Sequence, residues 1–142
     1  MKKFLSLLLA LVLMLSVTVT ASAQEVVKFW THTNNAWNAS YEELIAEFEA
    51  ANPEIKIEYT NFPYADFEAK MQSSLMAGEP GADVYEAWGG WMLNFASSGV
   101  LSEIPSVFLE ELLKDVYEPV MGTLQYQGKY YGAPLELNSG YG

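Results

Sequence analysis

Two short loops of the sequence concentrate the side chains that could bind a ligand. The first loop carries four candidate binding residues, namely Trp30, His32, Asn34 and Asn35. The second loop, residues 85–91, adds Glu86 and Trp88 beside a pair of glycines. Aromatic rings stack against the C–H faces of polar, ring-shaped molecules, and amide and acid groups hydrogen-bond the hydroxyls. The two loops therefore indicate a binding site for a sugar-like ligand.

Several of these candidates also have a purely structural interpretation. Asn34 and Asn35 are ordinary turn-forming residues, and Trp30 is equally suited to a core position. Of the two tryptophans that flank the glycine pair, we expect Trp91 to pack beneath the following helix. Trp88 is expected to expose a stacking face, because the glycines let the backbone turn sharply or approach a ligand closely.

Catalytic chemistry has little support in the sequence. Eighteen carboxylates make a glycosidase pair conceivable, but no spacing singles out two of them. His32 is the single histidine and no Gly-x-Ser-x-Gly segment occurs, so a serine hydrolase triad is not indicated. Without cysteine or a second histidine, there is also no metal-site pattern. We therefore predict a binding protein that is not an enzyme and uses no cofactor.

Alternating strands and helices are predicted around the first loop. Residues 25–31 form a β-branched and aromatic run with apolar side chains on both faces, which predicts a strand covered on both sides. After a polar loop over 32–39, a capping-box spacing at Ser40 predicts the start of an amphipathic helix. The helix is expected to end at Asn52-Pro53, and the alternation of apolar and polar residues over 55–59 predicts a second strand.

The same pattern continues towards the end of the chain. A second helix is predicted over 64–77 and a short third strand over 82–85, which completes a βαβαβ unit with a parallel sheet. Beyond it, one helix is expected to end near Gly99, and a longer one over 109–120 is interrupted by a proline. Gln127-Gly128 indicates a hairpin turn. Ligands of open parallel sheets lie beyond the carboxyl ends of the strands, so the two candidate loops are the places to look.

The first residues are typical of a secretory leader. Residues 1–23 combine Lys2 and Lys3, an apolar run over 4–19, and a small-residue triplet that ends at Ala23. Because the chain contains no cysteine, we expect no lipid attachment after cleavage and no direct membrane anchor. Losing the two leader lysines leaves five basic residues against eighteen acidic ones, a formal charge of −13. Such a charge opposes nucleic acid as a partner.

Four segments recur in the order and spacing of a known family. They are Val27-Lys-Phe-Trp-Thr-His, Phe48-Glu-Ala-Ala-Asn-Pro-Glu-Ile-Lys-Ile, Gly78-Glu-Pro-Gly-Ala-Asp-Val and Gly128-Lys-Tyr-Tyr-Gly-Ala-Pro-Leu-Glu-Leu-Asn. Together they resemble the family-1 extracellular solute-binding proteins, which include the sugar-binding components of ABC importers. The resemblance extends over essentially the whole chain that follows the leader.

This resemblance implies an α/β fold, a periplasmic-binding-protein-like type II lobe over residues 24–134. Residues 135–142 would then begin the crossover to a second lobe, before which the chain is truncated. Binding of a sugar or oligosaccharide, periplasmic or extracellular, would serve the permease subunits of an ABC importer. Two alternatives stay open, a secreted glycosidase and a ligand sensor that works without an importer.

The resemblance also bears on individual residues. It places Trp88 at about the position where sugar-binding relatives carry a stacking aromatic. Asn138 matches a ligand-contacting polar residue near the crossover, and for that reason we prefer it to Glu136. Glu86 is expected to bond ligand hydroxyls.

Overall fold

A three-stranded parallel sheet forms the centre of the molecule. The structure is a computed structural model that describes residues 23–136, so most of the expected leader, and residue 138, lie outside the described part. The strands are β1 (Glu25–His32), β2 (Ile55–Phe62) and β3 (Val84–Tyr85), in the order β2-β1-β3. Helices α1 (Asn35–Ala51) and α2 (Tyr64–Met76) connect them. The predicted βαβαβ unit is therefore confirmed.

Strand β1 pairs very differently with its two neighbours. Its register with β2 runs over eight residue pairs, whereas only Phe29↔Val84 and Trp30↔Tyr85 join it to β3. Asp83 reinforces the short pairing, because its N–H donates to the Lys28 carbonyl at 2.9 Å and its carboxylate accepts from the Lys28 N–H at 2.8 Å. These bonds attach the third strand to the sheet despite its length.

One face of the sheet carries the main hydrophobic core. Trp30 lies on this face, edge-on to Phe62 at 4.8 Å and to Tyr85 at 5.7 Å between ring centroids. The fully buried members of the cluster come from α2 and from the next helix, namely Phe67, Met71, Leu75 and Phe95. Trp91 packs against this cluster, which confirms its expected core role. The helical spacing that predicted α2 therefore reflects its contact with the core.

Helix α1 packs on the opposite face of the sheet. Tyr41 packs its ring against Phe29 at 5.3 Å, and Glu49 ties the helix to β2 by accepting bonds from Lys56 Nζ and the Ile57 N–H, each at 2.8 Å. Those two bonds lower the pKa of Glu49. No residue of α1 is fully buried, and Leu44 keeps 60% of its surface exposed. An apolar groove of about 640 Å³ lies between helix and sheet.

The remaining elements form a second layer around a smaller core. They are α3 (Gly89–Ser98), α4 (Ser106–Asp115), α5 (Glu118–Gly122) and the antiparallel strands β4 (Gln125–Tyr126) and β5 (Lys129–Tyr130). Met92, Ala96, Met121 and Leu124 are buried together at their centre. The predicted hairpin is confirmed, with Gln127 and Gly128 both at positive φ, 51° and 80°. In the described part of the chain, none of the helices has the length and apolar character needed to cross a bilayer.

Two helix boundaries differ from the sequence-based expectation. Helix α1 begins at Asn35 rather than at Ser40, because the Asn34 side chain accepts from the Ala36 N–H at 3.1 Å and caps the helix. Ser40 instead lies inside the helix, where its hydroxyl faces the Ala36 carbonyl. The helix expected over 109–120 with an interruption at the proline is two helices, which are separated before the proline is reached. The proline stands in the first turn of α5, where its missing N–H costs nothing.

Replacing Gly81 with alanine should destabilise the main core. A Cβ atom at this position would lie 2.1 Å from Cη2 of Trp30, and that ring is held between two other aromatic rings. We expect Gly81→Ala to lower the free energy of unfolding by about 1–3 kcal/mol, as overpacking does elsewhere. Chemical denaturation measures the change.

Gly90→Ala supplies the matched control for this substitution. Gly90 lies in α3, and a Cβ atom there meets nothing within 4 Å. Its replacement should leave stability unchanged or raise it by up to about 1 kcal/mol, because alanine favours the helix. Equal unfolding free energies for Gly81→Ala and the unsubstituted protein would show that Trp30 is not confined as described.

Candidate binding site

A cavity of about 420 Å³ opens at the carboxyl edge of the sheet. One wall comes from the ends of β1 and β3 and from the first turns of α1, and includes His32, Trp37, Tyr41, Glu86 and Trp88. The other wall comes from α5 with the residue segments that follow it, and includes Val120, Thr123, Leu124 and residues 133–136. The loops after the first and third strands therefore line one shared cavity.

The closest polar contact in this wall joins His32 to Glu86. One Glu86 carboxylate oxygen lies 2.8 Å from Nδ1 of His32, and the other accepts from the His32 backbone N–H at 3.2 Å. The two side chains are only 16% and 13% exposed. Glu86 is itself held in place, because its own N–H donates to the Trp30 carbonyl at 2.9 Å. Both carboxylate oxygens are thus engaged by the end of β1.

Aromatic rings surround the His32 imidazole. Trp37 and Tyr64 each lie edge-on to it, with ring centroids 5.6 Å away. Trp88 stands perpendicular to Tyr64 at 6.5 Å and keeps 47% of its surface exposed. The four rings form a continuous row from the first turn of α1 to the start of α3. Trp88, the exposed end of the row, has the free ring surface that a stacking residue needs.

A partly buried hydrogen-bond network lies next to this wall. Thr31 is fully buried, and its hydroxyl lies 2.9 Å from the Tyr59 hydroxyl. Tyr59 in turn donates to Oδ1 of Asn38 at 3.1 Å, and the same oxygen accepts from the Asn34 N–H at 3.3 Å. The network joins β1, β2 and the first turn of α1. It therefore fixes the helix start relative to the strand end that carries His32.

Tyr41 contributes a polar atom that has no partner within residues 23–136. Its hydroxyl is buried and makes no hydrogen bond in that part of the chain. Burial raises the pKa of Tyr41 well above its usual range, and the nearby Glu86, Tyr59 and Glu136 raise it further. Leaving a buried hydroxyl unpaired costs about 1–3 kcal/mol. Tyr41 lines the cavity with its ring, while its hydroxyl is enclosed by the surrounding residues.

The structure brings together only some of the residues predicted from the sequence. His32, Glu86 and Trp88 line the cavity, whereas Trp30 packs in the main core and does not line it. Asn34 caps α1, and Asn35 is an exposed first residue of that helix. The prediction for Asn138 lies outside the described residues, although nearby Glu136 lines the cavity.

Sequence reasoning did not select Trp37 and Tyr41 as site residues. They are four residues apart, so on a helix they share one face. This spacing indicates a shared face only if the helix begins directly after Asn34, its cap. The sequence-based expectation of a loop over 32–39 places the first turn outside the helix. Among the described residues, no group of three His, Asp or Glu side chains is placed to hold a metal ion.

Comparison with known proteins identifies the family. The sequence profile of the family described as bacterial extracellular solute-binding protein matches residues 33–141. The chain belongs to this family. Its α/β lobe, with a central parallel sheet, is of the type II periplasmic-binding-protein kind that solved family structures share, as expected from the sequence.

Two curated members of the family come from Pyrococcus. An uncharacterized ABC transporter extracellular-binding protein of Pyrococcus horikoshii is 28% identical over 97 residues, 68% of this chain and 22% of that protein. The maltotriose-binding protein of Pyrococcus abyssi is 27% identical over 95 residues, 67% of this chain and 20% of that protein. The chain therefore spans about a fifth of the length of these relatives.

One solved structure shows the same lobe. The GacH receptor of Streptomyces glaucescens, solved unliganded and in complex with acarbose, superposes with a TM-score of 0.67 and 26% sequence identity. The match covers 78% of this chain and 29% of that receptor. The described lobe therefore corresponds to only one part of that longer receptor.

Removing the Asn34 side chain should weaken α1 rather than remove a ligand contact. Asn34→Ala eliminates the bond to the Ala36 N–H, and loss of such a cap costs about 1 kcal/mol in the free energy of unfolding. Asn34→Asp keeps a capping oxygen and should retain stability. Asn35→Ala is the control, because Asn35 is exposed and its replacement should not destabilise the helix. Equal stability of all three variants in chemical denaturation would contradict the capping role.

Proposed function

We propose that this chain supplies one wall of the ligand cleft of an exported solute-binding protein, and that the solute is a sugar or oligosaccharide. The observation that carries the proposal is the cavity at the carboxyl edge of the sheet, where an exposed tryptophan stands beside a polar His–Glu pair. Parallel α/β sheets bind their ligands at this edge. Membership of a solute-binding family independently supports the binding of a solute.

The chemistry of the cavity suits a hydroxyl-rich ring. Its volume of about 420 Å³ falls within the ~300–1,000 Å³ that is usual for small-molecule sites. Trp88 and Trp37 offer ring surface for C–H faces, while His32 offers a polar atom for hydroxyls. Two relatives support this ligand class, since one is named for maltotriose and another was solved with acarbose.

Export and transport follow from the same proposal. A leader over residues 1–23 would carry the protein out of the cytoplasm. Outside the cytoplasm, the protein would capture the solute as a soluble protein without a lipid anchor. The permease subunits of an ABC importer are the proposed protein partner, in line with the transporter named for the Pyrococcus horikoshii relative. The solute would be passed on unchanged.

The residues that line the cavity favour binding of the solute without its hydrolysis. A glycosidase requires two carboxyl groups at the scissile bond, one of which must donate a proton. Glu86 and Glu136 are the two carboxyl residues that line the described cavity. Both oxygens of Glu86 already accept bonds from His32, so Glu86 is poorly suited to the acid role.

Truncating Trp88 should weaken sugar binding without unfolding the protein. Trp88 is about half exposed and precedes α3 instead of packing in either core cluster. We expect Trp88→Ala to reduce affinity for the preferred sugar by at least about tenfold, which corresponds to roughly 1.4 kcal/mol of lost stacking. Calorimetric titration of the complete gene product with a panel of sugars and oligosaccharides measures the change.

Phe108→Ala is the matched control for this experiment. Phe108 is an aromatic residue of α4 with 49% of its surface exposed, but it does not line the cavity. Its replacement should leave affinity unchanged. Equal affinity of Trp88→Ala and the unsubstituted protein would remove Trp88 from the site, and hydrolysis of any sugar in the panel with turnover would favour an enzyme instead.

A further inference from the structure

We propose that Glu86 is a positioning residue that presents Nε2 of His32 to the bound solute as a hydrogen-bond acceptor. This role replaces the direct contact with ligand hydroxyls expected from the sequence. The proposal rests on the proposed function for its ligand, but the arrangement of the pair is tested without any ligand. It assigns the recognition of a hydroxyl group to a histidine whose ring is fixed in one tautomer.

The tautomer follows from the partner of each ring atom. An ionised carboxylate only accepts hydrogen bonds, so the 2.8 Å contact between Glu86 and Nδ1 requires the proton to be on Nδ1. A neutral imidazole has one proton, and Nε2 is therefore left with a lone pair. Nε2 has no hydrogen-bond partner within residues 23–136, and it is not among the buried unpaired atoms of that region. Nε2 therefore retains accessible surface, and His32 is one of the residues that line the cavity.

The orientation of the ring is fixed as well as its protonation. Glu86 holds both the ring and the backbone N–H of His32, and the edges of Trp37 and Tyr64 contact the imidazole from two other directions. Glu86 is anchored in turn by its N–H bond to the Trp30 carbonyl. Turning the ring would break the bond to Nδ1 and disturb the aromatic row. A ligand hydroxyl thus meets an acceptor whose position is set before binding.

Trp88 and His32 have different roles in the same wall of the cavity. Trp88 supplies the stacking surface, and His32 supplies a directional acceptor in the same wall. A carboxylate that contacted the ligand directly would accept bonds in several directions, whereas the aromatic nitrogen accepts in the plane of its ring. The pair therefore favours ligands that place a hydroxyl donor beside a stacked ring.

The ligand-free test is nitrogen-15 NMR of the imidazole at alkaline pH, where the ring carries a single proton. His32 is the single histidine in the chain, so its ring nitrogens can be assigned without ambiguity, and His32→Gln provides the blank spectrum. We expect the Nδ1–H tautomer in the unsubstituted protein and a shift towards the Nε2–H tautomer in Glu86→Ala. A predominant Nε2–H tautomer in the unsubstituted protein would overturn the proposal.

A double-substitution cycle tests whether Glu86 acts through His32. With maltotriose as the probe, Glu86→Ala should reduce affinity by about tenfold or more when His32 is present, and by less than about twofold in a His32→Ala background. Thermal unfolding of each variant separates loss of the site from loss of the fold.

The outcomes distinguish this proposal from the proposed function. An equal loss of affinity with and without His32 would show that Glu86 contacts the ligand directly, and would overturn the positioning role alone. Failure of every sugar to bind the unsubstituted protein would count against the sugar-binding function, while the NMR result would still decide the tautomer of His32.

Discussion

Parallel pairing of β1 with strands on both of its sides is the constraint on which this lobe depends. Because β2, β1 and β3 run in the same direction, their carboxyl ends meet at one edge. His32 and Glu86 are 54 residues apart in the chain, yet this pairing brings them to 2.8 Å. The buried Thr31 network then fixes the start of α1 against the same edge. The order and direction of the strands therefore determine where the cavity lies, more than any single side chain does.

The order and type of the elements were predictable because burial periodicity is a strong signal. Phe67, Met71 and Leu75 recur every four residues and are all buried, so the pattern that predicted α2 is the pattern of its contacts. Boundaries were harder to predict, because competing local bonds decide them. Both Asn34 and Ser40 are plausible caps in the sequence, and only the geometry of the bond to the Ala36 N–H separates them.

The site was predictable in its location and only partly in its residues. Strand-end geometry predicts that His32, Glu86 and Trp88 lie close together, and all three line the cavity. Trp30 shares a face of β1 with His32, but it lies two residues further from the strand end and packs in the core. The second wall, from α5 and residues 133–136, arises from packing between distant segments and leaves no local pattern. The pairing of Glu86 with His32 likewise depends on the register of β3, which two residue pairs define.

The shortness of β3 has a consequence for local stability. Two residue pairs and the hydrogen bonds between Asp83 and Lys28 join β3 to β1, whereas eight residue pairs join β2 to β1. Segments with few protected amides open more often than the domain as a whole unfolds. Amide exchange should therefore be faster at Glu86, whose N–H donates to the Trp30 carbonyl, than in the middle of β2. A molecule that bridges the ends of β1 and β3 would slow the local opening of β3. Binding would therefore be observed as slower amide exchange in this short strand.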